Sequence, residues 1–182
     1  MIKPKEIIKV GLILFVITAI SALLLAYANK ITAPIIAENN RIKTEAAMKV
    51  VLPDAETFTK VGIEGVEEAY IANASDGPAG VCVVTVAYGY GGEVKVITGI
   101  NRNGEITGID ILSHSETPGL GANAENPEFT SQFVGKTANI GVSRGKAEGN
   151  EINAMSGATI TSNAVTQAVN AAFEAAKLLN NQ

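Results

Sequence analysis

Residues Val10 to Ala28 form an uncharged run rich in Leu, Ile, Ala and Val, close to the roughly 20 apolar residues that cross a bilayer as a helix. Beyond it, Ile35, Ala46, Val50 and Val51 lie in a mostly helix-forming stretch. Thr32-Ala33-Pro34 offers a cap and a first-turn proline, and Pro53 stops the run. A stalk helix continuing from the membrane is expected there, with Glu38, Arg41, Lys43, Glu45 and Lys49 on a solvated or partner-facing side. Glu56 to Ala69 mixes strand and helix formers and yields no assignment, and Asn73 to Gly80 has loop composition. The pattern then turns to β in three Val/Ile-rich runs, Gly80 to Tyr88, Glu93 to Ile100 and Glu105 to Leu112. Gly89-Tyr90-Gly91-Gly92 joins the first two as a tight turn, and Asn101-Arg102-Asn103-Gly104 joins the last two with a strong hairpin signal. Phe129 and Phe133, four apart, predict a short amphipathic helix over Pro127 to Val134. From Ser162 onward Val165, Ala168, Val169, Ala172, Phe173, Ala176 and Leu179 put one apolar stripe on a C-terminal helix. The expected fold class is α+β: one N-terminal transmembrane helix, then an antiparallel-sheet domain flanked by helices.

A chain of 182 residues that is 47% hydrophobic has room for one anchor and one globular domain, not for two large domains. Lys3, Lys5 and Lys9 precede the apolar run with only Glu6 against them, whereas Lys30 stands alone after it. That asymmetry puts the N-terminus in the cytoplasm and the remainder outside it. Ala26-Tyr27-Ala28 fits a signal-peptide cleavage pattern, but signal-peptide apolar regions run only about 7–15 residues, which favours a retained anchor. The net charge of −4 argues against a nucleic-acid partner. Cys82, the only cysteine, excludes a disulfide within the chain and reads as a buried strand thiol.

The candidate chemistry lies in two places. Ser156-Gly157-Ala158-Thr159-Ile160-Thr161-Ser162 sets four hydroxyls around a Gly-Ala pair just ahead of the C-terminal helix. Free N–H groups and the positive end of the helix dipole favour an anion there, and the small residues let it reach the main chain. The plain alternative is that Thr161 or Ser162 is an ordinary N-cap. The second place is His114-Ser115-Glu116-Thr117-Pro118-Gly119-Leu120-Gly121, an irregular loop at the end of a rigid sheet, where ligand contacts are common. His114 is the only histidine and lacks a Cys or His partner, so a structural position is expected for it.

The Ser-Gly-Ala-Thr string and the Glu-Thr-Pro-Gly-Leu-Gly loop resemble the FMN-binding domain family. With the single anchor before them, their order and spacing resemble the G subunits of Rnf electron-transport complexes. The related C subunits of sodium-pumping NADH:quinone oxidoreductases are usually longer. The resemblance implies FMN esterified to Thr159 by a separate flavin transferase, with Ser156, Gly157, Ala158, Thr161 and Ser162 around the phosphate. It makes Glu116, Thr117, Gly119 and Leu120 candidate neighbours of the flavin ring. One departure is Asn153, where the family commonly has aspartate; it keeps the carbonyl and loses the charge.

On these readings residues 1–9 are a cytoplasmic N-terminus, 10–28 the transmembrane helix, 29–53 the stalk and 54–182 an extracytoplasmic domain that the resemblance makes FMN-binding. The chain would be an electron relay in an ion-translocating ferredoxin:NAD oxidoreductase of the inner membrane, with other Rnf subunits and the lipid bilayer as partners and no catalytic site of its own. The alternatives are a free-standing or secreted flavoprotein carrier and a non-redox scaffold subunit.

Overall fold

The computed structural model describes residues 4–180 except 76 and 138; Lys3 of the N-terminal basic group lies outside them. Contacts divide the chain into two units, Met1–Ile42 and Lys43–Gln182. In the first unit, helix α1 (Pro4–Val51) exposes Leu12, Phe15, Ile20, Leu23 and Leu24. A helix that is apolar all round suits lipid, and α1 is long and apolar enough to cross a membrane.

The sequence expectation of a fresh helix start at Thr32-Ala33-Pro34 is corrected: α1 runs through these residues without interruption. Thr32 does not cap. Its hydroxyl donates back to the Ala28 carbonyl at 3.0 Å, a bond made inside a helix. Pro34 has no N–H to give the carbonyl four residues earlier. Pro53 does end the helix, whose last residue is Val51.

Lys43–Val51 of α1 belongs to the second unit. Five strands, β1 (Thr57–Val61), β2 (Glu68–Ala74), β3 (Gly77–Tyr88), β4 (Glu93–Asn101) and β5 (Ile106–His114), form an antiparallel sheet in chain order. The helix α3 (Thr159–Asn180) covers one face, where Val83, Val94, Val96 and Ile111 share a core with Val165, Ala168, Val169 and Phe173. On the other face Cys82, Val84 and Ile97 meet Ala47, Met48, Val51 and Leu52. The buried stripe of this end of α1 is therefore Thr44, Ala47, Met48 and Val51, while Val50 is exposed. Burial pushes the Cys82 thiol up to about 12.

Gly99 and Gly108 stand opposite each other in β4 and β5, and the last turn of α1 rests on that pair. A methyl group on Gly99 would overlap the Val51 carbonyl, which also accepts a hydrogen bond from the Thr107 hydroxyl. Between β4 and β5 the Asn101 side-chain oxygen accepts the N–H groups of Asn103 and Glu105 at 2.9 and 3.0 Å, which closes the expected hairpin.

Two regions differ from expectation. The unassigned stretch holds β1 and the start of β2. Asn73 to Gly80 is no open loop, because β2 and β3 stay paired to Ala74↔Gly77. The Pro127 to Val134 helix is a short α2 (Pro127–Thr130) followed by a 3₁₀ turn over Ser131–Phe133. The Phe129 and Phe133 rings meet edge to face with centroids 5.5 Å apart. Two short strands, β6 (Gly141–Ser143) and β7 (Glu151–Asn153), then pair in parallel.

Gly99→Ala should destabilise the second unit by about 2 kcal/mol, since the overlapping group is backbone and cannot rotate away; an unchanged melting temperature would refute the seating of α1 on the glycine pair. Burial also holds the half-buried Asp110 carboxyl above its usual range, against the pull of the Ile111 N–H. The folded state therefore binds this proton more tightly than the unfolded state, and stability is lost as pH rises through the folded value. Asp110→Asn should raise the melting temperature at pH 7, with the gain shrinking as the pH falls toward the raised value.

Candidate functional site

The site is built at one end of the sheet. The C-terminal end of β3, the N-terminal end of β4 and the C-terminal end of β5 emerge together, with Tyr88 paired to Glu93 and Val94 to His114. Their connections, residues 89–92 and 115–120, meet the first turn of α3 there and enclose a cleft of ≈460 Å³.

α3 begins at Thr159, three residues before the stripe predicts. Gly157 turns the chain at φ +73°, and the Ala158 carbonyl accepts the Ser162 N–H at 3.0 Å. The N-cap alternative is thereby corrected: Thr161 and Ser162 lie inside the first turn. Ser162 is 0% exposed, and its hydroxyl accepts the Met155 N–H at 2.9 Å and donates to the Ala158 carbonyl at 3.0 Å. Thr161 is buried and donates to Glu116 Oε2 at 2.6 Å. Thr159 is half-buried and lines the cleft. The first-turn N–H groups of Thr159, Ile160 and Thr161 have no carbonyl partner within the helix, which makes this an anion-favouring end.

Of the residues singled out from sequence, the structure brings Thr159, Gly157, Ala158, Thr161, Glu116, Thr117 and Leu120 to one cleft. It does not bring three others. Ser162 faces the interior, and Gly119 shapes the loop at φ +77° while its carbonyl accepts the Asn123 side chain at 3.1 Å. Ser156 is exposed and borders a neighbouring hollow of ≈480 Å³ with Asn123, Asn126, Gln132 and Asn153. Asn153 is occupied with shaping this region. Its side-chain oxygen accepts the Ala147 N–H at 2.8 Å, and its amide donates to Gln132 Oε1 at 3.2 Å, a bond aspartate would lose.

Tyr90 and Ile160 also line the cleft, although sequence reasoning passed over them. They are 75% and 56% exposed and, with the exposed Leu120, give it an apolar rim. The available signal was an aromatic residue at the tip of a glycine turn, where nothing within the fold requires one. His114 takes a structural position: its Nδ1 accepts the Glu116 N–H at 3.1 Å. An accepting Nδ1 leaves the proton on Nε2, which faces Glu125 Oε1 at 3.1 Å.

The arrangement fits a flat, partly apolar phosphorylated ligand. A helix N-terminus meets the phosphate end, and Tyr90, Leu120 and Ile160 offer surface for a ring.

Residues 89–174 match the FMN-binding domain family, and residues 1–51 match the RnfG N-terminal region. The chain is 42% identical over 190 aligned residues to the G subunit of the Na(+)-translocating ferredoxin:NAD(+) oxidoreductase complex of Acetobacterium woodii, an alignment covering 93% of this chain and 91% of that protein. It is 36% identical over 156 residues to the G subunit of the proton-translocating ferredoxin:NAD(+) oxidoreductase complex of Clostridium ljungdahlii, covering 85% and 83%. Its fold is similar to the crystal structure of the C subunit of the Na(+)-translocating NADH-quinone reductase from Parabacteroides distasonis. The TM-score is 0.59 at 19% identity, over 77% of this chain and 91% of that one.

Ser162→Ala should cost about 1–2 kcal/mol, because the Met155 N–H loses its acceptor, and should leave flavin content unchanged. Lost flavin in a variant that melts normally would return Ser162 to the binding residues.

Proposed function

The chain belongs to the family of G subunits of ion-translocating oxidoreductase complexes, and we propose that it is the electron-relay subunit of a membrane-bound ferredoxin:NAD oxidoreductase, with FMN esterified to Thr159. The observation that carries this reading is the division of labour among the four hydroxyls. Ser162 and Thr161 are buried and spent on internal bonds, and Ser156 lies outside the cleft. Thr159 combines a place on the first turn of α3 with an opening into the apolar-rimmed cleft.

In this role the residues of the chain bind and orient. The first-turn N–H groups and the helix dipole hold the phosphodiester, whose single negative charge such a position stabilises by about 0.3–1 kcal/mol. Thr117, Leu120, Tyr90 and Ile160 flank the ring. Bound FMN supplies the one- and two-electron redox chemistry that none of these side chains has. The chain needs no substrate site of its own to act as a relay between other subunits of the complex.

α1 makes it a single-pass membrane protein, and the lysine asymmetry across residues 10–28 favours a cytoplasmic N-terminus and a flavin domain on the outer side of the cytoplasmic membrane. Covalent attachment suits that side. A flavin held by noncovalent contacts alone and lost there has no cytoplasmic pool to replace it, so a separate flavin transferase would install it once.

In protein co-expressed with a flavin transferase, intact-mass measurement after denaturation should show a gain of FMN minus water on the peptide containing Thr159. Thr159→Ala should keep the fold and lose the adduct. Flavin that stays covalently bound in Thr159→Ala would refute the assignment of Thr159, and an unmodified wild-type chain would favour a cofactor-free scaffold.

A further inference from the structure

The cleft contains a buried carboxyl side chain that the proposed relay does not use. Glu116 is 6% exposed, and among the described residues no Lys or Arg is ion-paired with it. Its carboxylate lies between two separate parts of the chain. Oε1 accepts the Gly91 N–H at 2.9 Å, and Oε2 accepts the Thr161 hydroxyl at 2.6 Å, within the short range of charge-assisted O–H···O bonds. The Glu116 N–H is itself held by His114 Nδ1 at the end of β5.

The niche around this carboxylate is made by absent side chains. A methyl group on Gly89 or Gly121 would overlap Glu116 oxygens, and one on Gly91 would overlap the Ser115 carbonyl. These glycines come from the β3–β4 turn and from the far end of the 114–121 loop. Both segments therefore leave room for one carboxylate between the turn and the helix.

We propose that Glu116 is a positioning residue: by joining the β3–β4 turn to the first turn of α3, it holds the three walls of the Thr159 cleft in register and so immobilises the flavin ring. The role differs from that of a ring contact. Glu116 acts through Gly91, next to Tyr90, and through Thr161, two residues from Thr159. Hydrogen bonding, not charge, is what the geometry requires. A glutamine at 116 can still accept from Gly91 and can donate to Thr161 Oγ1, whose hydroxyl accepts as well as donates. The immobilising step rests on the reading that FMN sits on Thr159; the clamp between turn and helix does not.

The test uses the full chain in detergent, with and without a co-expressed flavin transferase, as wild type, Glu116→Gln, Glu116→Ala and Thr161→Val. Thr161→Val is nearly isosteric, removes one arm only, and serves if Glu116→Ala fails to fold. In unloaded protein, Glu116→Ala should exchange amide hydrogens roughly tenfold or more faster in residues 88–93 and 157–164, as expected for the loss of two buried hydrogen bonds. Thr161→Val should do so chiefly in 157–164, and Glu116→Gln should match wild type. In loaded protein, the alanine and valine variants should keep the adduct on Thr159 but show lower flavin fluorescence anisotropy and several-fold stronger quenching by iodide. Alanine and valine variants with wild-type exchange would overturn the clamp. Faster exchange with unchanged anisotropy and quenching would overturn its action on the ring. A glutamine variant as loose as the alanine variant would overturn the hydrogen-bond basis. A wild-type chain without adduct would sink the FMN reading and the immobilising step with it, while the exchange comparison would still decide the clamp.

Discussion

The close packing of α3 on β3 and β4 is the constraint on which the site depends. Ala164, Ala168, Ala172, Ala175 and Ala176 are buried along this helix, so its backbone can approach the sheet closely. The Thr85 hydroxyl on β3 donates to the Ala168 carbonyl at 2.8 Å, which fixes the helix along its own axis. Farther along, the Asn170 side chain pairs with both backbone groups of Ile140, at 2.9 and 3.0 Å, and ties the segment before β6 to the same helix. With the middle of α3 held in this way, its first turn reaches the end of the sheet from which the 89–92 turn and the 115–120 loop emerge. Thr159 is placed by the core.

A helix end and two loops do not by themselves make a cleft of defined shape. Loops have weak conformational preferences, and side chains at their tips usually close gaps between them. Here glycine at 89, 91 and 121 keeps the space open, and a single buried carboxylate spans it. The exposed apolar residues Tyr90, Leu120 and Ile160 then remain on the rim without collapsing into the interior. Exposed side chains of this kind, grouped about a helix N-terminus, are what an aromatic phosphorylated cofactor requires.

The sequence made β3 to β5 and α3 legible because their signals are long. β3, β4 and β5 are nine residues or longer and rich in Val and Ile, and α3 repeats its apolar stripe over several turns. β1 was illegible because it is short and little buried: Thr57, Thr59 and Lys60 are exposed, which leaves only Phe58 and Val61 as apolar positions. β6 and β7 span three residues each and show no period. The helix start expected at Thr32-Ala33-Pro34 failed for a different reason. The neighbouring Thr32 and Ala33 are compatible with helix interior as well as with a cap, and one lost N–H does not outweigh the propagation of a long apolar helix. The two motifs of the site were readable as strings, and their meeting about one flavin was implied only by the family resemblance. Nothing in the spacing of Glu116 and Thr161, 45 residues apart, says that they bond.

The same long-range bond bears on which hydroxyl can be modified. In sequence, Ser156, Thr159, Thr161 and Ser162 are four hydroxyls with the same hydrogen-bonding capacity. Folding separates them by access and by occupation. Ser162 closes the turn from Met155 to Ala158, and Thr161 donates to Glu116, so esterifying either would break a buried bond and force a phosphate into the core. Ser156 is free of the core but borders the amide-lined hollow, away from the apolar rim. Thr159 alone among the four joins solvent access, the unpartnered N–H groups of the first turn and the cleft. If FMN is esterified to this string as proposed, selectivity for Thr159 would follow from the packing of α3.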